Sequence, residues 1–267
     1  MNLSNTKTTK QSPSLKGIYL SVVIPAYNEE KNIIKSLSSI NAYLKEYDYS
    51  YEVLIVDDGS SDSTVKIVSD FCKSNSKFRL IKNPHRGKGP TVWTGVMEAS
   101  GEFIYLADAD LATPISEIKR LFVWLSDKSY DIAIASREGL GSSRISEPYY
   151  RHLMGRVFNL WVRIIAVKGI EDTQCGFKLF NKKSAKEIFA HLKIYGESAP
   201  EIKDAYLGAF DVEVLYLAKK LGFKVKEVPV TWAYVKTQRL NPLRDSIKMA
   251  MDVLKVRVND LKGVYAL

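Results

Sequence analysis

The sequence is poor in the residues that make disulfides and most metal or nucleophile sites. It holds two cysteines, Cys72 and Cys175, and three histidines, His85, His152 and His191, among 267 residues. Two cysteines cannot staple a fold, and neither has a partner at CxxC spacing, so a reducing, cytosolic setting is expected. The histidines lie apart, with no HExxH spacing and no Ser-His-Asp grouping. There is no apolar run of 18 residues, so no segment reads as a membrane span. The opening stretch, MNLSNTKTTKQSPSLKG, lacks the apolar core of a secretory signal. GxGxxG and GxxxxGK[ST] are both missing, which argues against a dinucleotide site and a P-loop NTPase.

What is present is an ordinary globular composition, 46% hydrophobic and 11% aromatic, long enough for one large domain or two small ones. The net charge of +9 is uneven. Residues 1–16 carry +3 with no acid, residues 219–267 carry +7, and the body between is nearly neutral. Basic ends suit nucleic acid, anionic lipid or a phosphorylated substrate. The aromatic-rich basic motifs of RNA modules are lacking, so nucleic acid is not expected.

Residues 1–16 read as a flexible basic tail. From Gly17, buried strands alternate with helices: IYLSVVIPAY, YEVLIVDD, FRLIKN, GEFIYLADAD and YDIAIASR, with helices after Asn28, from about Asp62, over 90–99 and after Pro114. That alternation predicts an α/β fold with a mainly parallel central sheet over 17–232. Beyond Arg137 the pattern loosens. Residues 148–167 look helical, with Leu153, Val157, Leu160, Ile164 and Ile165 as an apolar stripe. Further helices are predicted near 183–192 and 210–221, then a late strand, FKVKEVPVTW. Residues 233–267 form a basic loop and an amphipathic helix over 243–258, with Leu243, Ile247, Ala250, Leu254 and Val258 on one side and Arg244, Lys248 and Lys255 on another.

Parallel sheets bind ligands at the carboxyl ends of their strands. Each chemically suggestive cluster falls at such an end. In VIPAYNEE, Tyr27 could stack on a base and Glu29 accept from base or ribose; equally, Asn28, Glu29 and Glu30 could cap a helix. In IVDDGSSDST, Asp57 and Asp58 beside a glycine suit a nucleotide, or an Asx turn. Lys88 stands between two glycines as a point charge for phosphate. LADADLATP is the sharpest signal. If strand geometry persisted through Asp108, Ala109 and Asp110, the two carboxylates would point the same way. A hard divalent cation, Mg²⁺ or Mn²⁺, would relieve their repulsion and bridge a diphosphate.

VIPAYNEE, VDDGS and DAD, in this order and spacing, resemble glycosyltransferase family 2, whose fold is GT-A, a Rossmann-like nucleotide-sugar transferase fold. The similarity runs from about Tyr19 to Arg257. DADLATP, Ser136–Arg137, DTQCGFKLF and MAMDVLKVR resemble the branch that loads a hexose onto dolichyl or polyprenyl phosphate. Within it the sequence is most similar to the dolichyl-phosphate β-glucosyltransferase type, whose place is protein glycosylation. The resemblance implies an inverting hexosyltransferase using a divalent metal, a nucleotide sugar and a polyprenyl-phosphate lipid. It implies that Pro25, Ala26, Tyr27, Glu29 and Asp57 hold base and ribose. Asp58, Lys88 and Ala109 complete the nucleotide-sugar set. Asp108 touches ribose or donor sugar, Asp110 ligates the metal, and Arg137 and Arg151 grip the lipid phosphate. Ala112 stands where mannosyl synthases commonly place a metal-binding Gln, which tilts the donor toward UDP-glucose, with GDP-mannose as the alternative. The usual Ser-Lys pair after the last strand is replaced by YVKTQRLNP, making Lys236 and Arg239 candidate substitutes. A phosphate acceptor is already ionised and needs no general base. Two other readings stand beside this one: a family 2 transferase to a saccharide hydroxyl, with Asp172 as the base, and a nucleotide-sugar-binding protein without activity. The expected location is cytoplasmic, peripheral at the cytoplasmic face of a membrane, through the basic C-terminal region.

Overall fold

The computed structural model describes residues 17–206, 208–235 and 242–266, and the side chains of 242–244 lie outside that description. The expected basic tail at 1–16, the candidate substitutes Lys236 and Arg239, and the Leu243 and Arg244 side chains therefore fall outside the described residues.

The first half builds the predicted alternation. Strands β1 (Leu20–Ala26), β2 (Tyr51–Asp57), β3 (Phe78–Lys82) and β4 (Phe103–Leu106) are separated by α1 (Ile33–Leu44), α2 (Thr64–Lys73) and α3 (Lys88–Glu98). A short 3₁₀ turn at Ile115–Glu117 leads into α4 (Ile118–Ser126) and β5 (Ile132–Ser136). The strands read as continuous apolar runs because both faces are covered. On β1, Val23 joins one core cluster and Val22 and Ile24 the other. On β2, Leu54 and Val56 face the first core, Val53 and Ile55 the second. One core carries α3 and most later helices; the other carries α1, α2 and α4.

The second half adds β6 (Ser143–Ile145), α5 (Tyr149–Ile165), β7 (Lys178–Asn181), α6 (Lys182–Ala190), α7 (Phe210–Lys220), β8 (Val225–Pro229), β9 (Thr231–Ala233) and α8 (Pro242–Leu261). The main sheet has seven strands in the order β3-β2-β1-β4-β7-β5-β8. Only β7 is antiparallel, inserted between β4 and β5. A separate parallel pair, β6 with β9, stands beside it. β6 lies in the stretch GLGSSRISE, which reads from sequence as a loop. The chain runs from β1 outward to β3, then returns to β4 on the other side of β1. That reversal opens a crevice above the ends of β1 and β4.

Two helix expectations change. The helix after Asn28 begins at Ile33, so Asn28 does not cap it. Asn28 has φ +52°, its amide donates to Ser60 Oγ (2.9 Å) and its side-chain oxygen accepts from the Ser61 amide (2.8 Å). It ties the loop after β1 to the loop after β2. The stripe on α5 also turns out differently: Leu153, Val157, Leu160 and Ile164 face outward, while Asn159 and Val162 face the core. On α8, Val253 and Val256 join the same core as Val162, and Ile247, Leu254 and Val258 are exposed. The last helix is thus part of the folded unit, with its apolar stripe on the outside.

Candidate active site

A cavity of about 700 Å³ occupies the crevice, lined by Pro25, Ala26, Tyr27 and Glu29 from the end of β1 and by Asp108, Ala109 and Asp110 from the end of β4. Asp58, His85, Lys88, Arg137, Gln174, Gly176, Tyr206 and Trp232 complete much of its wall. The strand ends meet because their registers coincide. Ala26 lies beside Asp57, and the Ala107 amide donates to the Val23 carbonyl at 3.0 Å.

Asp108 and Asp110 converge on the cavity, for a different reason from the one the spacing suggests. β4 ends at Leu106, so strand alternation does not reach them. A tight turn carries them: the Leu111 amide donates to the Asp108 carbonyl at 3.1 Å, and Leu111 takes φ +48°. Asp108 forms an ion pair with Lys88 (2.5 Å). Burial alone would lower the Lys88 pKa, but Asp108 and Asp211 outweigh it and raise it. Among the described residues, the Asp110 side chain accepts from the Ala112 amide at 3.1 Å. Burial, then the charge of Asp108, pushes its carboxyl up to about 6. The Ala112 amide and the Lys88 charge oppose that rise without cancelling it, so a further cation would favour the ionised form.

That is the observation by which a divalent metal can be tested. The nearby donors are hard carboxylate oxygens, and no group of three His, Cys, Asp or Glu among the described residues could enclose an ion. Mg²⁺ or Mn²⁺ held by one or two carboxylates, with substrate phosphates completing the shell, fits this donor set.

Asp57 and Asp58 divide differently than expected. Asp57 turns into its own loop, where Oδ2 accepts from the amides of Gly59 and Ser60 (3.1 Å each), and it is not on the cavity wall. Asp58 is on the wall, but its oxygens hold the loop before α3, accepting from the amides of Arg86 (2.8 Å) and Gly87 (2.9 Å). Asp58 Oδ2 also lies 2.8 Å from His85 Nδ1, and the Asp58 carbonyl 3.0 Å from it. Two acceptors at Nδ1 assign the proton there. His85 then stacks flat against Tyr27, with centroids 4.1 Å apart and planes at 6°. A lone histidine gives no such signal in the sequence, because its stacking partner is 58 residues away.

Arg137, at the end of β5, lines the cavity and makes a bidentate pair with Asp172, Nε–Oδ2 2.7 Å and Nη2–Oδ1 2.8 Å. Burial alone would raise the Asp172 pKa, yet the Arg137 guanidinium holds it well below the carboxylate range. Asp172 is fully buried and also accepts the Arg137 amide (2.9 Å). It cannot serve as a general base, which removes the one carboxylate considered for a hydroxyl acceptor. Arg151, in the first turn of α5, does not line the cavity itself. It donates to Tyr234 Oη at 3.1 Å and sits 5.0 Å above that ring, while Arg137 sits 5.3 Å from the Trp232 ring. The two rings are 6.2 Å apart. One strand, β9 and its extension, thereby brings together arginines from two distant elements. Trp232 and Tyr234 are the residues that sequence reasoning passes over.

Sequence reasoning passes over Gly176 too. A Cβ there would lie 2.2 Å from Asp108 Oδ2 and 2.5 Å from Oδ1, so the Asp108 carboxylate rests on bare backbone. Lys178 supports that loop from below: fully buried, it pairs with Asp211 and donates to the Cys175 carbonyl at 2.5 Å. Burial pushes the Cys175 thiol up to about 11, so it is a packed group and no nucleophile.

Residues 21–189 match the family described as Glycosyl transferase family 2. The dolichyl-phosphate beta-glucosyltransferase of Dictyostelium discoideum is 36% identical over 264 residues, 94% of this chain and 77% of that protein. The human protein of the same name is 35% identical, covering 93% of this chain and 78% of its own. Among solved structures, mannosyl-3-phosphoglycerate synthase from Rubrobacter xylanophilus aligns with a TM-score of 0.62 at 18% identity, over 94% of this chain and 76% of that one. Glucosyl-3-phosphoglycerate synthase from Mycobacterium tuberculosis, in complex with Mn²⁺ and UDP-glucose, aligns at 0.61 and 18%, over 90% and 79%. Likeness at this identity shows the shared fold, the GT-A arrangement.

Proposed function

The chain belongs to glycosyl transferase family 2 and is a glycosyltransferase similar to the dolichyl-phosphate β-glucosyltransferases; from that premise we propose that it transfers glucose from UDP-glucose to a dolichyl or polyprenyl phosphate, with inversion. The observation that carries the acceptor class is the Arg137–Asp172 pair. It leaves a guanidinium facing the cavity and takes Asp172, the carboxylate considered as a base, out of proton transfer. A phosphate monoester needs no base, and an arginine fork orients it.

In this reading the uracil and ribose lie along Pro25, Ala26, Tyr27 and Glu29, with His85 backing the Tyr27 ring. Asp110, aided by Asp108, would hold a divalent cation that offsets charge on the departing diphosphate. Lys88 lies against Asp108 and supplies a second positive charge on the same side. Two of the five N–H groups of Arg137 are engaged by Asp172, which leaves three for an acceptor phosphate. Arg151 stands over the adjoining ring to receive the same headgroup. A phosphate oxygen attacks the anomeric carbon as the bond to the diphosphate breaks, and the electron pair leaves with UDP. The chain's part is alignment and charge. No described helix is long and apolar enough to cross a membrane. With a lipid acceptor, the work is done at the cytoplasmic face of a membrane.

The test is transfer of labelled glucose from UDP-glucose to polyprenyl phosphate, against a panel of nucleotide sugars and soluble saccharides. An organic-soluble, acid-labile product from UDP-glucose is expected. Transfer to saccharide hydroxyls alone, or hydrolysis without transfer, refutes the proposal.

A further inference from the structure

Between α6 and α7, residues 192–206 form a strap without helix or strand. Such a segment keeps its shape only through what grips it. Two buried carboxylates do so. Glu213, on α7, accepts the amides of Lys193 (2.9 Å), Ile194 (3.0 Å) and Tyr195 (3.1 Å), and the Tyr265 hydroxyl at 2.6 Å. Asp252, the acid of MAMDVLKVR on α8, takes the Tyr195 and Tyr206 hydroxyls on one oxygen, each at 2.5 Å. Burial, with Asp252 beside them, raises the pKa of both tyrosines, so their hydroxyls stay protonated as donors. The Tyr195 hydroxyl accepts in turn from the Ala209 amide at 2.8 Å. The strap is thus tied to α7 near its start and to α8 through both tyrosines.

The same strap seats the turn that opens α3. The Ile202 amide donates to the His85 carbonyl at 2.9 Å, and Arg86 Nη1 donates to the Glu197 carbonyl at 2.9 Å. Gly87 takes φ +91°, and a Cβ there would lie 3.1 Å from the Tyr206 carbonyl. A Cβ at Gly89 would lie 2.7 Å from the Tyr195 ring and 2.8 Å from Phe210. Bare backbone on either side of Lys88 is therefore pressed against the two residues that Asp252 holds. From this seat Lys88 reaches Asp108 and the cavity, whose wall also includes Tyr206. Among the described residues, α8 adds nothing to that wall. We infer that Asp252 is a positioning residue for the transferase: through Tyr195 and Tyr206 it fixes the seat of Gly87 and Gly89, and so aims Lys88 at the diphosphate of the donor. The inference rests on the donor half of the proposed function, a nucleoside-diphosphate sugar in the cavity, and adds a task for α8. Aim matters because a misplacement of about 1 Å can cost on the order of a hundredfold in rate.

The test is calorimetric titration of UDP, with Mn²⁺ present, into the wild type and variants whose folding is checked by circular dichroism. Lys88→Ala should weaken UDP binding about tenfold, through loss of a charge-assisted contact. Asp252→Ala should weaken it about fivefold, and Tyr206→Phe, which keeps the ring and loses one hydroxyl, about threefold. Asp252→Asn keeps an oxygen for the two hydroxyls and should bind within about twofold of the wild type. On a Lys88→Ala background, Asp252→Ala and Tyr206→Phe should add nothing, because residues that act through one another are non-additive. A general loosening of the fold would add in full. Tyr206→Phe carries the same comparison should Asp252→Ala fail to fold. Variants that bind UDP like the wild type, losses that add to that of Lys88→Ala, or an Asp252→Asn protein as weak as Asp252→Ala overturn the inference. A wild type that binds neither UDP nor GDP overturns the donor reading and the inference with it. The expected pattern in a protein that never glucosylates polyprenyl phosphate upholds the role of Asp252 and overturns the acceptor assignment instead.

Discussion

Replacing Asp110 by Asn should make the metal-free protein more stable while destroying its activity. Burial and the neighbouring Asp108 lift the Asp110 carboxyl from its ordinary 3.8 to about 6. A carboxyl whose folded pKa lies above its unfolded one binds protons more readily when folded, so its ionisation opposes folding. The penalty is complete above about pH 6, shrinks as the pH falls, and vanishes below the unfolded value of about 4. At about 1.36 kcal/mol per pH unit, the displacement corresponds to an upper bound of about 3 kcal/mol at neutral pH. Asn keeps an oxygen for the Ala112 amide and removes the charge. In EDTA near pH 7.5 the variant should gain about 1–3 kcal/mol, or several degrees in Tm for a chain of this size. Near pH 4 the two proteins should melt together. With Mn²⁺ and UDP the order should reverse, because ligand binding stabilises only the wild type appreciably. Urea denaturation and thermal melts at both pH values are sufficient. An Asp110→Asn variant equal to or less stable than wild type at neutral pH without metal would refute the assignment of an uncompensated carboxylate, and with it the reason for a cation there.

The same displacement predicts that glucose transfer falls as the pH drops through about 6, measured as kcat/KM for UDP-glucose at fixed Mn²⁺, because a protonated Asp110 cannot ligate. Arg137→Lys should cut kcat/KM for the lipid phosphate by more than tenfold and change KM for UDP-glucose little. Arg137→Ala is the poorer test, since it strands the buried Asp172 charge at a cost of about 3–5 kcal/mol and confounds activity with unfolding. Gly176→Ala should drive Asp108 from its seat and lower kcat at least a hundredfold, with a melting point close to wild type, since the loop's ion pair at Lys178 is untouched. His85→Ala removes the ring behind Tyr27 and should raise KM for UDP-glucose severalfold while leaving acceptor KM unchanged, by initial-rate kinetics.

Much of the architecture is legible along the chain because it depends on local pattern. Unbroken apolar runs mark strands covered on both faces, and the acids that follow them mark the ligand-binding edge. Asp108, Asp110, Tyr27, Glu29 and Arg137 line the cavity at strand ends, where the sequence argument looks for ligand contacts, and Lys88 joins them from the start of α3. The failures have a common physical origin. Asp57 and Asp58 are adjacent and chemically identical, so their division between turn and wall depends on which amides the folded loops bring near each. Asp172 looks like a free carboxylate until the fold sets it against Arg137, 35 residues away.

A helical stripe states that one face is apolar and is silent about what covers it. The α5 and α8 stripes are therefore readable, but their outward direction is not, since that depends on which side of each helix the core claims. Local periodicity and strand-end chemistry need only neighbouring residues, so they are written in order along the chain. Burial, the bidentate Arg137–Asp172 pair, the Gly176 seat and the ring ladder under the two arginines join residues far apart in order, and they come into being only when the sheet closes and β7 slots between β4 and β5.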